Sequence, residues 1–435
     1  MAMNAMNSGS KKPQVQQGTL YCANCEREFE LIPLLYCTFC KQALEYLLAI
    51  DKARQADLRR ILLDRHRSPD LHGNPRFSEF LPVPLGGALA DLGEGNTPLL
   101  HCERLQHKYF LKRLYLKIEG LNPTGSWKDR ATSLAVSSAK SFGYQTVSVY
   151  SCGNAGVSTA AYAAQAGLKS VIFVLPRIDR AKYMRMLSYG GCVVPLRISR
   201  RDLWGSSRVG ELLEEAQSRL GWFPATTHRN PYVGSPYYTE GYKTIAFEIF
   251  LDLGETVPDW VFVPAGSGEG LSGLWRGFKN LFALGLTRRL PRIVGVQAEH
   301  AAPLVRAYRK LKDQVEFVAG RRTIASGLEV MVSSNHALSA IKESHGSAES
   351  VDDAAILQTM DEVRREEGVN ASPEGAIGLA AAKKMRAEGR LKDDDLVVCI
   401  SSASEIEHSG LVRKKGLPGG GVSLNLSEIS GYVKN

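Results

Sequence analysis

The chain has 435 residues, 44% hydrophobic and 23% charged, a balance that fits a soluble globular protein with room for two or three domains. Its net charge of +9 is spread over distant basic pairs such as Arg59-Arg60, Arg200-Arg201 and Arg321-Arg322, with no basic stripe interleaved with aromatics, so no nucleic-acid partner is expected. No apolar run reaches the length of a membrane span, so no membrane partner is expected either.

Residues 1–17 are polar and lack the apolar core of a secretion signal; they are expected to form a disordered leader on a cytoplasmic protein. Next come two cysteine pairs, Cys22-x2-Cys25 and Cys37-x2-Cys40, with eleven residues between them. Each pair can place two thiolates on one turn, and two facing turns make a tetrahedral site for a structural zinc ion. Two disulfides are the competing reading, which fits poorly with a chain that shows no export signal. Residues 18–45 therefore read as a zinc ribbon and 46–91 as a helical linker. Cys102, Cys192 and Cys399 lie beside apolar runs and read as buried thiols. Cys152 falls inside a candidate site loop.

The run Asn122-Pro123-Thr124-Gly125-Ser126-Trp127-Lys128-Asp129-Arg130 places a lysine after a tight turn and at the mouth of a helix. A lysine that forms a Schiff base with an aldehyde needs such a frame, because its amine must be aimed and part of the time neutral. A solvated lysine after a Pro-Thr-Gly turn is the plainer reading. Strand and helix patterns then alternate: strands over 147–150, 170–175, 192–195, 260–264, 292–297 and 396–400, helices over 157–166, 180–189, 271–281, 352–366 and 373–387. This rhythm predicts parallel sheets with helices on their faces, and ligands at the carboxyl ends of the strands. Ser151-Cys152-Gly153-Asn154-Ala155-Gly156 sits at one such end. Gly266-Ser267-Gly268-Glu269-Gly270 sits at another, where converging N–H groups and a helix start suit a phosphate. An unliganded tight turn explains that loop equally, and Glu269 is odd beside a phosphate unless its side chain points outward. Ser372-Pro373 reads as a capped helix start. Ser401-Ser402 ends the strand at 396–400, where a hydroxyl can meet a ring nitrogen.

Taken in order, these motifs resemble the pyridoxal-phosphate enzymes of fold type II, and most closely the threonine synthase family. The resemblance runs through Glu94-Gly95-Asn96-Thr97-Pro98-Leu99, the Lys128 motif, the Asn154 loop, Glu240-Gly241-Tyr242-Lys243-Thr244, the glycine loop and the strand ending in Ser401. It implies an α/β architecture like the β subunit of tryptophan synthase, with two three-layer αβα domains following the amino-terminal zinc ribbon. The larger domain would comprise 92–130 and 237–415, the smaller and mobile one 131–236, and 416–435 would be a tail. It also implies pyridoxal 5'-phosphate and a structural Zn2+ as cofactors, a small and possibly phosphorylated amino-acid substrate, and a homodimer.

By the same resemblance, Lys128 carries the cofactor and moves protons. Asn154 bonds the cofactor's ring hydroxyl. Ser151, Gly153 and Ala155 hold the substrate carboxylate. Gly266, Ser267, Gly268, Glu269 and Gly270 hold the phosphate, and Ser401 faces the pyridine nitrogen, with Ser402 as a rival. The implied reaction is O-phosphohomoserine plus water to threonine plus phosphate. Three features depart from the family's pattern. Trp127 replaces phenylalanine, Cys152 replaces a small hydroxyl residue, and 226–239 is remodelled, with His228 and Arg229 shifted and Tyr232, Tyr237 and Tyr238 inserted. A related lyase or replacement enzyme acting on another amino acid therefore stands beside threonine synthase. A non-catalytic interaction protein that keeps the fold is a third reading.

Overall fold

The computed structural model describes residues 18–65, 73–83, 89–176, 178–199, 207–227, 234–404 and 425–434. The expected leader at 1–17, the stretch with His228, Arg229, Asn230, Pro231 and Tyr232, and Glu405 with the Gly419-Gly420-Gly421 run lie outside them.

Three sheets organise the chain. The first is a small antiparallel sheet of β1 (Gly18–Cys22), β2 (Arg27–Phe29) and β3 (Glu45–Leu48), in the order β2-β1-β3. Its third strand runs to Leu48, three residues beyond the segment expected for the ribbon. A six-stranded sheet has the order β12-β11-β10-β13-β5-β4. Its strands are β4 (Leu99–His101), β5 (Arg113–Ile118), β10 (Trp260–Pro264), β11 (Arg292–Ala298), β12 (Ser347–Val351) and β13 (Leu396–Ser401). All pairs are parallel except β4 with β5. A four-stranded parallel sheet has the order β8-β7-β6-β9, from β6 (Thr146–Tyr150), β7 (Lys169–Val174), β8 (Cys192–Pro195) and β9 (Trp222–Pro224). The strands and helices expected from the sequence form within three residues of their anticipated ends.

Both parallel sheets are covered on two faces, as near-continuous apolar strands require. In β10 and β13 the alternation is direct. Val261, Val263, Val398 and Ile400 enter one core, and Phe262, Val397 and Cys399 enter the other. In the smaller sheet Val147, Val149, Ile172 and Val174 face the first core, while Tyr150, Val171 and Phe173 face a third. The first core also contains Leu20, Tyr46 and Leu48 of the small sheet, so the cysteine-bearing segment is packed onto the α/β body.

Buried charges reinforce that packing. Glu45 on β3 meets Arg276 Nη1 at 3.0 Å and His336 Nε2 at 3.4 Å, and Arg276 also pairs with Glu240, which pairs in turn with Lys243. Burial alone would raise the Glu45 carboxyl, but His336, Arg276 and Lys279 outweigh it and hold the group at about 2 against an ordinary 4.5. A second cluster centres on Arg130, fully buried in the helix Lys128–Ser141. Its guanidinium bridges two carboxylates in bidentate fashion: Glu119 at 2.7 Å through Nε and Nη2, and Glu248 at 2.6 Å through Nη1 and 2.7 Å through Nη2. Lys117 joins Glu248 at 2.9 Å. Thr97 and Asn122 donate to Glu119, and Gly95 N–H donates to Asn122. The Glu94–Leu99 motif therefore frames the lysine turn through hydrogen bonds.

Two outcomes follow. Arg130→Leu leaves Glu119 and Glu248 buried with one cation fewer, and is expected to cost about 3–5 kcal/mol, read from urea midpoints against wild type. Glu45 has a depressed folded value, so its contribution is present above pH 4.5 and is lost as pH falls toward about 2. The stability gap between wild type and Glu45→Gln is expected to be open at pH 7 and to close across that acid window in denaturant titrations.

Candidate active site and cysteine cluster

Lys128 is the first residue of its helix, reached through the turn at Asn122–Gly125. Asp129 clamps that turn, accepting from Thr124 N–H and Thr124 Oγ1 at 2.6 Å each and from Ser158 Oγ at 2.6 Å. Burial pushes the Asp129 carboxyl up to about 6, against those hydrogen bonds and the nearby Arg185. The turn is stitched to the end of β13: Trp127 N–H donates to the Ser402 carbonyl at 2.9 Å, Ser404 N–H donates to Gly125 at 3.1 Å, and Ser126 bridges to Ala403. These bonds bring Lys128 and Ser401, far apart in sequence, to one place.

The Lys128 Nζ lies 5.8 Å from the ring centre of Trp127, 5.9 Å from that of Tyr238 and 5.5 Å from that of Tyr242. Burial lowers its pKa, and the carboxylate of Glu269 opposes the shift in part. The amine therefore spends more of its time neutral than an exposed lysine, as a nucleophile or base must.

The glycine loop follows β10 and opens the helix Glu269–Ala283. Gly268 has φ +92, a left-handed conformation that favours glycine, and a Cβ there would also meet Ala337. The loop's carbonyls are engaged from behind: Ala265 by Gln297 at 2.9 Å, Gly266 by Ser333 at 2.8 Å and Ser267 by Ser334 N–H at 2.7 Å. With its carbonyls taken, the loop offers N–H groups and a helix start on its other side, the donor set an anion needs. The Glu269 side chain does not point outward. It is buried, accepting from Thr226 and from Ser267 Oγ, the latter at 3.0 Å. At Gly270 even a methyl group would sit 2.4 Å from the Trp127 ring, so the loop and the lysine turn are in contact.

The two candidate serines separate clearly. Ser402 Oγ donates to the Glu374 carbonyl at 3.2 Å. Ser401 Oγ is buried with no hydrogen-bond partner. An orphaned hydroxyl beside Lys128 fits a ring nitrogen as its missing partner. The Asn154 loop lies at the carboxyl end of β6. Asn154 begins the helix Asn154–Ala166, Gly153 caps it in an extended conformation, and Ser151 Oγ accepts from Gly153 N–H at 3.2 Å. Ser151, Gly153, Asn154 and Ala155 are all partly exposed. Cys152, by contrast, turns its sulfur back to accept from Leu175 N–H at 3.0 Å, a packing role. The residues that sequence reasoning left without a site role are Thr132 and Tyr242. Only the fold brings them beside the lysine.

The four amino-terminal cysteines converge. Their sulfurs lie within 4.8 Å of one another, with Cys22–Cys40 at 3.4 Å, Cys25–Cys37 at 3.5 Å and Cys25–Cys40 at 3.8 Å. All are free thiols. A tetrahedron with metal–sulfur bonds near 2.3 Å has edges of about 3.8 Å, so the cluster fits one tetrahedral cation. Both pairs turn alike: Glu26 N–H returns to the Cys22 carbonyl, Lys41 N–H returns to that of Cys37, and both residues are left-handed. Among the described residues no helix is long and apolar enough to cross a membrane.

Comparison with known proteins agrees with this geometry. Residues 90–403 match the family described as "Pyridoxal-phosphate dependent enzyme". The chain is 32% identical to the threonine synthase of Methanocaldococcus jannaschii over 385 residues, covering 88% of this chain and 91% of that one. It is 32% identical to the threonine synthase of Methanosarcina acetivorans over 388 residues, covering 88% and 90%. Among solved structures, maize serine racemase superposes with a TM-score of 0.61 at 21% identity, covering 72% of this chain and 88% of that one. The processed form of threonine deaminase isoform 2 from Solanum lycopersicum superposes with a TM-score of 0.60 at 18% identity, covering 82% and 92%. These two show the fold alone. With the lysine at a helix mouth, the glycine cradle and the orphaned serine in place, the chain belongs to the pyridoxal-phosphate-dependent enzymes of fold type II, within the threonine synthase family.

Proposed function

We propose that the protein catalyses elimination and replacement on an activated amino acid in the manner of threonine synthase, with O-phosphohomoserine and water giving threonine and phosphate. The observation that carries this reading is the Lys128 amine, lowered in pKa by burial and set between a glycine cradle and the unpartnered Ser401 hydroxyl. When bound, pyridoxal phosphate supplies an electron sink for the carbon that bears the substrate amine.

The chain's own residues do the rest. Backbone N–H groups of Gly266, Ser267, Gly268, Glu269 and Gly270 hold the phosphate. Asn154 holds the ring hydroxyl, and Ser151, Gly153 and Ala155 hold the substrate carboxylate. Lys128 Nζ takes the proton from the amine-bearing carbon and later returns one, a role its neutral form permits. Ser401 Oγ meets the ring nitrogen as a neutral hydroxyl. It does not stabilise a protonated ring as a carboxylate would, and the weaker sink suits elimination and replacement over transamination. The smaller sheet's segment, 131–236, is the mobile part that closes on the substrate. Cys22, Cys25, Cys37 and Cys40 hold a structural zinc ion, with no position left for a substrate. The homodimer and the cytoplasmic location belong to this reading too.

A related enzyme acting on a different activated amino acid is the second reading. It is favoured by the wall of Trp127, Tyr238 and Tyr242, which brings three aromatic rings to the lysine.

Incubation with O-phosphohomoserine is expected to release phosphate and threonine in equal amounts, and Lys128→Ala to lower that rate by about 10³-fold or more. Phosphate absent from the wild-type reaction, together with spectral shifts of the bound cofactor on another amino acid, would move the assignment to the second reading. Purified protein is expected to carry stoichiometric zinc by elemental analysis. Cys22→Ser is expected to lose the metal and melt earlier, since the binding energy of such a site is folding energy.

A further inference from the structure

Three buried hydroxyls beside Lys128 have no role in the account above. Thr132 lies four residues after Lys128 on the same helix, hence on the same face one turn along. Tyr238 stands on the short helix Pro236–Thr239, and Tyr242 ends the turn Glu240–Tyr242 that follows it. Thr132, Tyr238 and Tyr242 are each fully buried. The two phenol rings meet edge to face with centres 5.9 Å apart. Tyr238 Oη is close enough to feel both Tyr242 and Thr132, yet none of the three hydroxyls reaches hydrogen-bond geometry with any partner.

The surrounding elements hold the group rigidly. Tyr237, next to Tyr238, points the opposite way, and its hydroxyl donates to the Ile32 carbonyl. Ser235 caps the short helix. Glu240 is fixed between Arg276 and Lys243. The Tyr242 ring packs on Trp127 with centres 4.9 Å apart. The tyrosines have little freedom to turn and find other partners.

An unpaired buried hydroxyl is uncommon, and three together mark a place for a polar ligand. The charges felt there are carboxylates, Glu269 and Asp129, so an anionic group is disfavoured. An apolar group would leave every hydroxyl unpaired. A single water matches, since it donates and accepts and binds two to four polar neighbours.

We propose that Thr132, Tyr238 and Tyr242 bind the water that adds to the substrate after its leaving group has departed; this rests on the elimination and replacement reading. The water oxygen forms a bond to the carbon next to the amine-bearing carbon as the double bond between the two opens. One water proton passes through a hydroxyl to the neutral Lys128 amine, and that amine gives a proton to the amine-bearing carbon. The elements of water add across the bond, and nothing is oxidised or reduced.

The test uses the holoenzyme with O-phosphohomoserine. Unsaturated substrate that escapes hydration leaves the site and hydrolyses in solution to a 2-oxo acid and ammonia. The readout is hydroxylated product against 2-oxo acid per phosphate released, a ratio insensitive to overall slowing. In Tyr242→Phe and Tyr238→Phe the ratio is expected to fall by about tenfold or more; an unchanged ratio in both variants overturns the proposal. A high-resolution crystal structure of the wild-type holoenzyme without substrate is the second arm. Ordered water bonded to at least two of the three hydroxyls supports the proposal, and their direct pairing with one another or with the cofactor overturns it. If wild type releases no phosphate, the substrate assignment falls, while the crystal arm still decides on the water.

Discussion

Arg130 is the interaction on which the site's geometry depends. Two residues past Lys128, it grips Glu119 and Glu248 with paired hydrogen bonds inside the protein. Glu119 belongs to the segment that leaves β5, and Glu248 to the helix Lys243–Asp252. One guanidinium thus ties the mouth of the lysine helix to both supports of the larger sheet. A planar donor with five N–H groups can do this where an ammonium cannot. Charges so deeply buried persist only with such complete pairing.

A second network extends that rigidity to the cysteine segment. Glu45 leaves the small sheet, meets Arg276, and through it connects to Glu240. Glu240 begins the turn that carries Tyr242 to the lysine. Tyr237, one helical turn earlier, hydrogen-bonds the Ile32 carbonyl in the loop between the two cysteine pairs. Gln217, from the helix after β8, reaches Pro33 in the same loop at 3.0 Å. The small sheet is therefore an abutment for the aromatic wall of the site, and a metal among its four thiols would stiffen that wall at one remove.

Local signals made much of this legible. Strand and helix patterns read correctly because both parallel sheets are apolar on two faces and their helices carry caps, such as Ser372 before Pro373. The glycine loop announced itself through Gly268, whose left-handed backbone only a glycine adopts cheaply. Two features did not read through. Glu269 was expected to face outward, yet Thr226 and Ser267 hold it inside; nothing near Glu269 in the chain indicates that Thr226 would arrive. The choice between Ser401 and Ser402 was equally closed to sequence, since it turns on the Glu374 carbonyl occupying one hydroxyl and leaving the other orphaned.

The order of motifs and the spacing of the cysteine pairs determined the fold class, the family and the lysine, because turn chemistry and periodicity are properties of neighbours in the chain. Tertiary structure alone decided which groups share the lysine's surroundings. Trp127, Tyr238, Tyr242 and Thr132 meet there, with Glu269 setting the local charge. These contacts span long stretches of chain and arise from sheet order and helix docking, and burial and orphaned hydroxyls exist only once the cores have closed around them.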